Sequence, residues 1–446
     1  MNQIPWQHHC CFVKRYMPLE DGYSIPRIMG ELDALAELGY GAIHITAPYD
    51  SPGFYPWWGL RVRDPFRLNP VLGNSMEEFR ELVRACHERG LRVMVFLNTG
   101  YAELTSELWQ NACRDRREGL DTPLVRFFQW SDTGTESPPP ATDPSFPREE
   151  WWAWSEEARS FYRAYWNGDA AYWSADSMVP GLHEPQYDWS SPELRRYLAM
   201  FVRHWLDTGV DCVILDAVSR YLNCDMGILR SWCGDILADY PGACLIPEGA
   251  VGLGDLLVSW LHAGFSIVED QLFHSEWLGS PVLDAAYSGS VAGLKAKLKN
   301  CHLARSWGRV CWSYQCWGET WTNQLRLLEL AVLLATGHMT EIMPGYLTQF
   351  SDEERGFLDS LTRLGHNRSL APIRPRYFPD CEDDALFLCG GESWMFVASF
   401  CREERYFPPF LPSGMILRDM ISGYIYKSED GMALEPYGWR FVEICR

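Results

Sequence analysis

Two short runs, GVDCVILDAV (209–218) and GACLIPEGAVG (242–252), each close a Val/Ile-rich stretch on one carboxylate, Asp216 and Glu248. A carboxylate at the C-terminal end of a buried parallel strand points into the mouth of a barrel, and two on neighbouring strands can flank a glycosidic bond. Taken singly, each has a plainer explanation, as a cap for the following helix or a partner for a barrel arginine.

The elements that must hold this pair follow from periodicity. Short β-branched runs alternate with amphipathic helical stretches, the pattern of βα units around a parallel sheet. The predicted strands are 10–16, 42–46, 92–97, 211–217, 243–248, 265–270, 309–313 and 340–344, eight in all. Between them, IPRIMGELDALAELG stops at Gly39, SMEEFRELVRACHERG starts on Ser75 and stops at Gly90, and SPELRRYLAMFVRHWLDTG follows the same logic. The spacing breaks once, after the third strand, where roughly ninety residues intervene; so long an insert on a barrel is usually functional. Its centre, SDTGTESPPPATDPSFP (131–147), is a Pro/Ser/Thr loop flanked by Trp130, Trp151, Trp152, Trp154, Trp166 and Trp173. Those indoles suit either a sugar-stacking wall or the core of a small lobe. After residue 370 the alternating runs ALFLCG, WMFVASF and WRFVEIC predict a small antiparallel β domain.

Composition narrows the partners. A chain of 446 residues, 47% hydrophobic and 22% charged, can bury a large core, and 39 Lys+Arg against 59 Asp+Glu leave a net charge of −20. That charge repels phosphate backbones and anionic lipid, so neither nucleic acid nor membrane is an expected partner. The N-terminus MNQIPWQHHCC has neither a basic start nor a signal-length apolar core, and no run of about 18 apolar residues appears, so a cytoplasmic protein is expected. The fifteen cysteines are odd in number and mostly in apolar surroundings, as at Cys212, Cys244, Cys311 and Cys389, which favours reduced core thiols. No C-x-x-C pair and no nucleotide-binding glycine motif is present, so neither a metal nor an organic cofactor is expected.

Several stretches, in order, carry a resemblance. LDALAELGYGAIHITAPYDSPG is similar to a second-strand region, and VRDPFRLNPVLGNSMEEFRELVRACHERGLRVMV to the stretch through a third strand. FFQWSDTG to WWAWSEEARSFYRAYW, HEPQYDWSSPELRRYL and DGMALEPYGWRFVEIC complete the series. Together they resemble glycoside hydrolase family 13, the α-amylase superfamily, of the oligo-α-glucosidase type. The resemblance implies a TIM (β/α)8 barrel (1–100 and 186–369), a domain B insertion after strand 3 (101–185) and a C-terminal antiparallel β-sandwich (370–446). It assigns the nucleophile to Asp216 and the general acid/base to Glu248. Retaining hydrolysis agrees with that pair, since it needs two carboxyls about 5–5.5 Å apart, one ionised and one protonated.

The departures from the family are equally specific. Gly59, Leu60 and Arg61 stand where it has Gly-Tyr-Asp, Gly100 and Tyr101 align with its Asn-His after the third strand, and Ile214 replaces the arginine two before the nucleophile. Its Asn-His-Asp after the seventh strand aligns with Tyr314, Gln315 and Cys316, so the third carboxylate is missing from its place. Losing an arginine beside Asp216 would by itself raise that carboxyl's pKa. Arg61 has three open roles: supporting Asp216, binding an acidic group on a substrate, or pairing, with Arg63, to Glu or Asp of domain B. Tyr101, Arg220, Gln315 and Cys316 are candidate substrate-binding positions, and Glu319 is either a displaced third carboxylate or a surface residue. Calcium is not expected, because LEDGYSIPR (19–27) lacks a carboxylate-rich loop. Two functional classes follow: a retaining α-glycoside hydrolase or transglycosidase acting on an atypical, acidic or modified, glycoside, and a non-catalytic scaffold that binds sugar or a protein. A pocket plugged by Tyr101, Tyr314 or Trp317 would favour the second.

Overall fold

A computed structural model describes residues 6–8, 10–53, 59–131, 152–165, 184–249, 260, 263–269, 280–298, 309–315, 322–342, 350–366, 376–377, 383–391, 393–409 and 411–445. Eight parallel strands form one sheet: β1 (Phe12–Tyr16), β2 (Ala42–Thr46), β3 (Arg92–Leu97), β4 (Cys212–Leu215), β5 (Cys244–Pro247), β6 (Ile267–Glu269), β7 (Val310–Gln315) and β8 (Met339–Ile342). Neighbours in sequence are neighbours in space, and β8 pairs with β1, so the order wraps round. Only the step from β5 to β6 carries no ladder among the described residues. This is the (β/α)8 barrel expected.

The helices form where the caps place them. Helix α1 (Ile25–Leu38) ends on Gly39, whose φ of 89° suits a residue without Cβ. Helix α2 (Met76–Glu88) starts on Ser75, whose hydroxyl accepts the Glu78 amide, and α3 (Pro192–Leu206) starts on Ser191, which accepts that of Leu194. Along α3, Leu194, Leu198, Phe201, Val202 and Trp205 recur at helical spacing and are buried, and the Trp205 indole donates to the Pro65 carbonyl at 3.0 Å. That bond ties the helix before β4 to the loop after β2.

Alternation along the strands puts Ile43, Ile45, Val93, Val95, Val213 and Leu215 on the helix-facing side and His44, Thr46, Phe96, Cys212 and Ile214 on the other. The inner face carries charge. Arg15 of β1 donates to Glu341 of β8 at 2.9 Å and to Thr46 at 2.8 Å, and His44 Nδ1 meets the other Glu341 oxygen at 2.8 Å. Arg15, His44 and Glu341 have side chains 1%, 0% and 0% exposed, and the His44 and Phe96 rings stack at 5.8 Å. Such a network is retained only when each partner is matched, since an uncompensated charge inside a barrel is costly.

The region after β3 holds a four-stranded antiparallel sheet (130–131, 152–155, 160–165 and 184–185). Within it the buried Trp109 stacks on the partly buried Trp130 at 5.2 Å and meets Tyr162 edge-on, packing the lobe onto the barrel core, while the partly buried Trp154 meets Phe161 edge-on. Trp152 is approached by the Arg163 guanidinium. Residues 132–147, Trp151, Trp166 and Trp173 lie outside the described residues.

The C-terminal segment forms a six-stranded antiparallel sheet and a two-stranded ribbon (405–407 with 432–434). Leu388, Val397 and Val442 of the sheet share a core with Phe407, Met432 and Leu434 of the ribbon. Phe387, Phe396 and Phe441 on the opposite face join the main barrel core. No disulfide joins the described cysteines, and Cys212, Cys244, Cys311 and Cys389 are buried. Among the described residues no helix is long and apolar enough to cross a membrane.

Candidate active site

Strand register brings the two carboxylates together. Cys212, Ile214 and Leu215 of β4 lie opposite Cys244, Ile246 and Pro247 of β5, so Asp216 and Glu248 occupy the next shared position at the C-terminal rim. The rim is stitched by backbone bonds: Asp216 N donates to Leu97 O, Glu248 N to Leu215 O, and Val218 N to Glu248 O at 2.7 Å. Each carboxylate residue is 8% exposed. Glu248 Oε2 accepts the Ala217 amide at 2.6 Å, an amide presented by a non-glycine residue at φ 45°. A left-handed alanine costs roughly 1–2 kcal/mol, and the Glu248 carboxylate holds it there.

Sequence reasoning missed the aromatic setting of Asp216. Tyr49 and Tyr221 are buried, and both phenols are pushed well up, by burial first, with the nearby Asp216 charge adding to it. Tyr221 meets the Thr99 hydroxyl and stacks on Trp189 at 4.5 Å; Trp189 in turn donates to Thr99 O at 3.1 Å. The residues directly behind β3 are Asn98 and Thr99, two positions ahead of the Gly100-Tyr101 assignment. Asn98 organises the loop: its oxygen accepts the Gly100 amide at 2.8 Å and its Nδ2 donates to Leu60 O at 2.8 Å. A buried Asn closing a hydrophobic run was the available signal. Tyr101 is 1% exposed and packs against Ala217, beside Asp216.

Arg61 follows the anchored Leu60. Its guanidinium lies 3.9 Å from both Glu103 and Glu184, while Arg63 meets Asp50 at 3.7 Å. Arg61 thus pairs with two carboxyls that flank the insert, whereas Arg63 pairs within the loop after β2. Burial lifts Glu184 to about 8; Arg61 opposes the shift and Glu103 adds to it. In the fold Glu184 therefore keeps a proton that the unfolded chain releases near 4.5, so stability falls as pH rises from about 4.5 to 8. Glu184→Gln is expected to match the wild type near pH 4.5 and to gain on it as the pH rises, by no more than about 4 kcal/mol at pH 8. Thermal melting from pH 4.5 to 8 checks this, and a gap that stays constant with pH refutes it.

Tyr314 and Gln315 form the last two positions of β7 rather than following it, with Tyr314 opposite Glu341 and Gln315 opposite Ile342. Their side chains lie outside the described residues, as do that of Arg220, at the end of a short turn (Val218–Arg220), and the whole of Cys316, Trp317 and Glu319.

Residues 25–226 match the family model "Alpha amylase, catalytic domain", a span that includes Asp216 and stops short of Glu248. The trehalose synthase/amylase TreS of Mycolicibacterium smegmatis is 28% identical over 49% of this chain and 35% of its own, and the oligo-1,6-glucosidase of Heyndrickxia coagulans 24% over 44% and 32%. These alignments span about a third of the relatives' length. Among solved structures, Eubacterium rectale Amy13B superposes with a TM-score of 0.76 at 12% identity, over 99% of this chain and 96% of that one. The trehalulose synthase MutB of Pseudomonas mesoacidophila gives 0.72 at 16% identity, over 99% and 100%, a likeness of fold. Residues 25–226 are thus similar to the α-amylase catalytic domain, and the eight-stranded barrel agrees with that likeness.

Proposed function

We propose that the protein is a retaining α-glycoside hydrolase or transglycosidase with Asp216 as nucleophile and Glu248 as acid/base. The observation that carries this reading is the shared register of the two carboxylates on adjacent parallel strands, with Glu248 fixed on the Ala217 amide. Asp216 attacks the anomeric carbon as the glycosidic C–O bond breaks, and Glu248 gives its proton to the departing oxygen. Glu248, now ionised and supported by the Ala217 N–H, takes a proton from water or a sugar hydroxyl, which displaces Asp216 with net retention.

The reacting sugar in this reading carries an acidic or otherwise modified group. Arg61 stands where the family places a carboxylate, and Glu184, holding its proton near neutral pH, leaves one of the two carboxyls beside Arg61 without charge. The test is a panel of aryl α-glycosides, neutral (gluco, galacto) and acidic (glucurono, sulfoquinovo), with the product anomer followed by NMR. An α-anomer released first from an acidic member is expected, and Arg61→Leu should lower kcat/KM on that member by about ten- to a hundredfold while sparing neutral ones. Equal loss on neutral and acidic members would remove Arg61 from substrate selection. A sugar-binding scaffold without turnover is the second reading, favoured by Tyr101 packed on Ala217; silence across the panel together with measurable sugar binding would select it.

A further inference from the structure

Glu269 ends β6 on the inner face of the barrel, is 3% exposed, and was not among the residues assigned from sequence. Its Oε2 accepts the Gly249 amide at 2.7 Å. Gly249 directly follows Glu248, and the contact spans the one step of the barrel, β5 to β6, that lacks a strand ladder among the described residues. The same construction occurs one strand earlier, where Glu248 grips the Ala217 amide that follows Asp216. Each carboxylate therefore holds the peptide behind the carboxylate of the preceding strand, in a series Asp216, Glu248, Glu269 around the rim.

We propose that Glu269 is a positioning residue of the double displacement: by clamping Gly249 it fixes the chain that carries Glu248, and so fixes Glu248 relative to Asp216. The inference rests on the roles proposed for those two residues. Among the described residues the end of β5 is held by backbone bonds on its β4 side alone, so a bond on the β6 side adds a second constraint, and a misplacement of about 1 Å in a catalytic group costs on the order of 10²-fold. A hydrogen bond donated by the Gly249 amide to a buried Glu269 oxygen supplies that constraint.

Three variants separate the clamp from general packing. Glu269→Met keeps the volume and removes the acceptor, Glu269→Asp withdraws it by one methylene, and Glu269→Gln keeps a neutral acceptor. On whichever panel substrate is cleaved, Met and Asp are expected to lower kcat by about 10²-fold with KM within about twofold, and Gln to recover to within about tenfold of wild type. Deuterium exchange of the 244–249 segment should rise in Met and Asp and stay near wild type in Gln. Wild-type kcat in both Met and Asp, a Gln variant as impaired as Met, or unchanged exchange in Met and Asp overturns the proposal; Asp keeps it testable if Met does not fold. Full turnover by Asp216→Asn would overturn the nucleophile assignment instead, and the exchange measurement, which needs no turnover, still decides whether Glu269 holds Gly249.

Discussion

Asp216→Asn is expected to lower turnover of the cleaved glycoside by about 10⁴-fold or more, leaving the melting temperature close to that of wild type. The amide is isosteric and the Asp216 backbone bond to Leu97 is untouched, so the rim keeps its shape. In the proposed reaction, what disappears is the anionic oxygen that would form the glycosyl ester, and without that intermediate the two-step route would be closed, leaving only binding and proton transfer from Glu248. A second variant sharpens the result: Asp216→Ala opens space for azide, which attacks from the vacated face and should yield the β-glycosyl azide from an activated substrate. Steady-state kinetics and NMR of the product check both statements. Turnover by Asp216→Asn within tenfold of wild type would mean that another group attacks the sugar.

Glu341→Gln carries the largest expected effect on stability, a loss of about 3–5 kcal/mol by urea denaturation. Glu341 is the common partner of Arg15 and His44 inside the barrel, and the amide would leave the Arg15 cation buried without its counter-charge. Replacing Arg15 and Glu341 together by Met should recover much of the loss, because the cost lies in the orphaned charge more than in the pair itself. Acid acts in the same direction. Burial holds His44 below its ordinary pKa despite the adjacent Glu341; burial pushes Glu341 up, but His44 and Arg15 outweigh it and hold the carboxyl below its ordinary value. A depressed folded pKa means stability present above the unfolded value and lost below it. The His44 contribution therefore declines as pH falls below about 6.5, and that of Glu341 declines through the carboxylate range. Denaturation curves between pH 5 and 8 should show this decline in wild type and one at least as steep in Glu341→Gln, which lacks the carboxylate that holds the His44 pKa up against burial. A loss under 1 kcal/mol for the single variant would show that water or another group neutralises Arg15.

What could be read from sequence is what short-range physics decides. The strands were legible because β-branched runs such as CVIL and RVMVFL alternate with helices bounded by Ser75, Ser191 and Gly39, and each of those caps acts within one turn. Asp216 and Glu248 were legible because each closes such a run, and the end of a parallel barrel strand has one destination. Tertiary structure decided the rest. Arg15, His44 and Glu341 are charges in strands that read as ordinary alternation, and only closure of β8 onto β1 makes them partners. Sequence did not show that Arg61 lies beside Glu103 and Glu184, residues from the two ends of the insert. Glu269 closes the run IVE much as Asp216 and Glu248 close theirs, but its bond to an amide on another strand, across a step without a ladder among the described residues, could not be read from that run. Period, caps and turns are set by neighbours along the chain, whereas the pairing of charges depends on which distant loops meet, and that is settled only when the barrel closes.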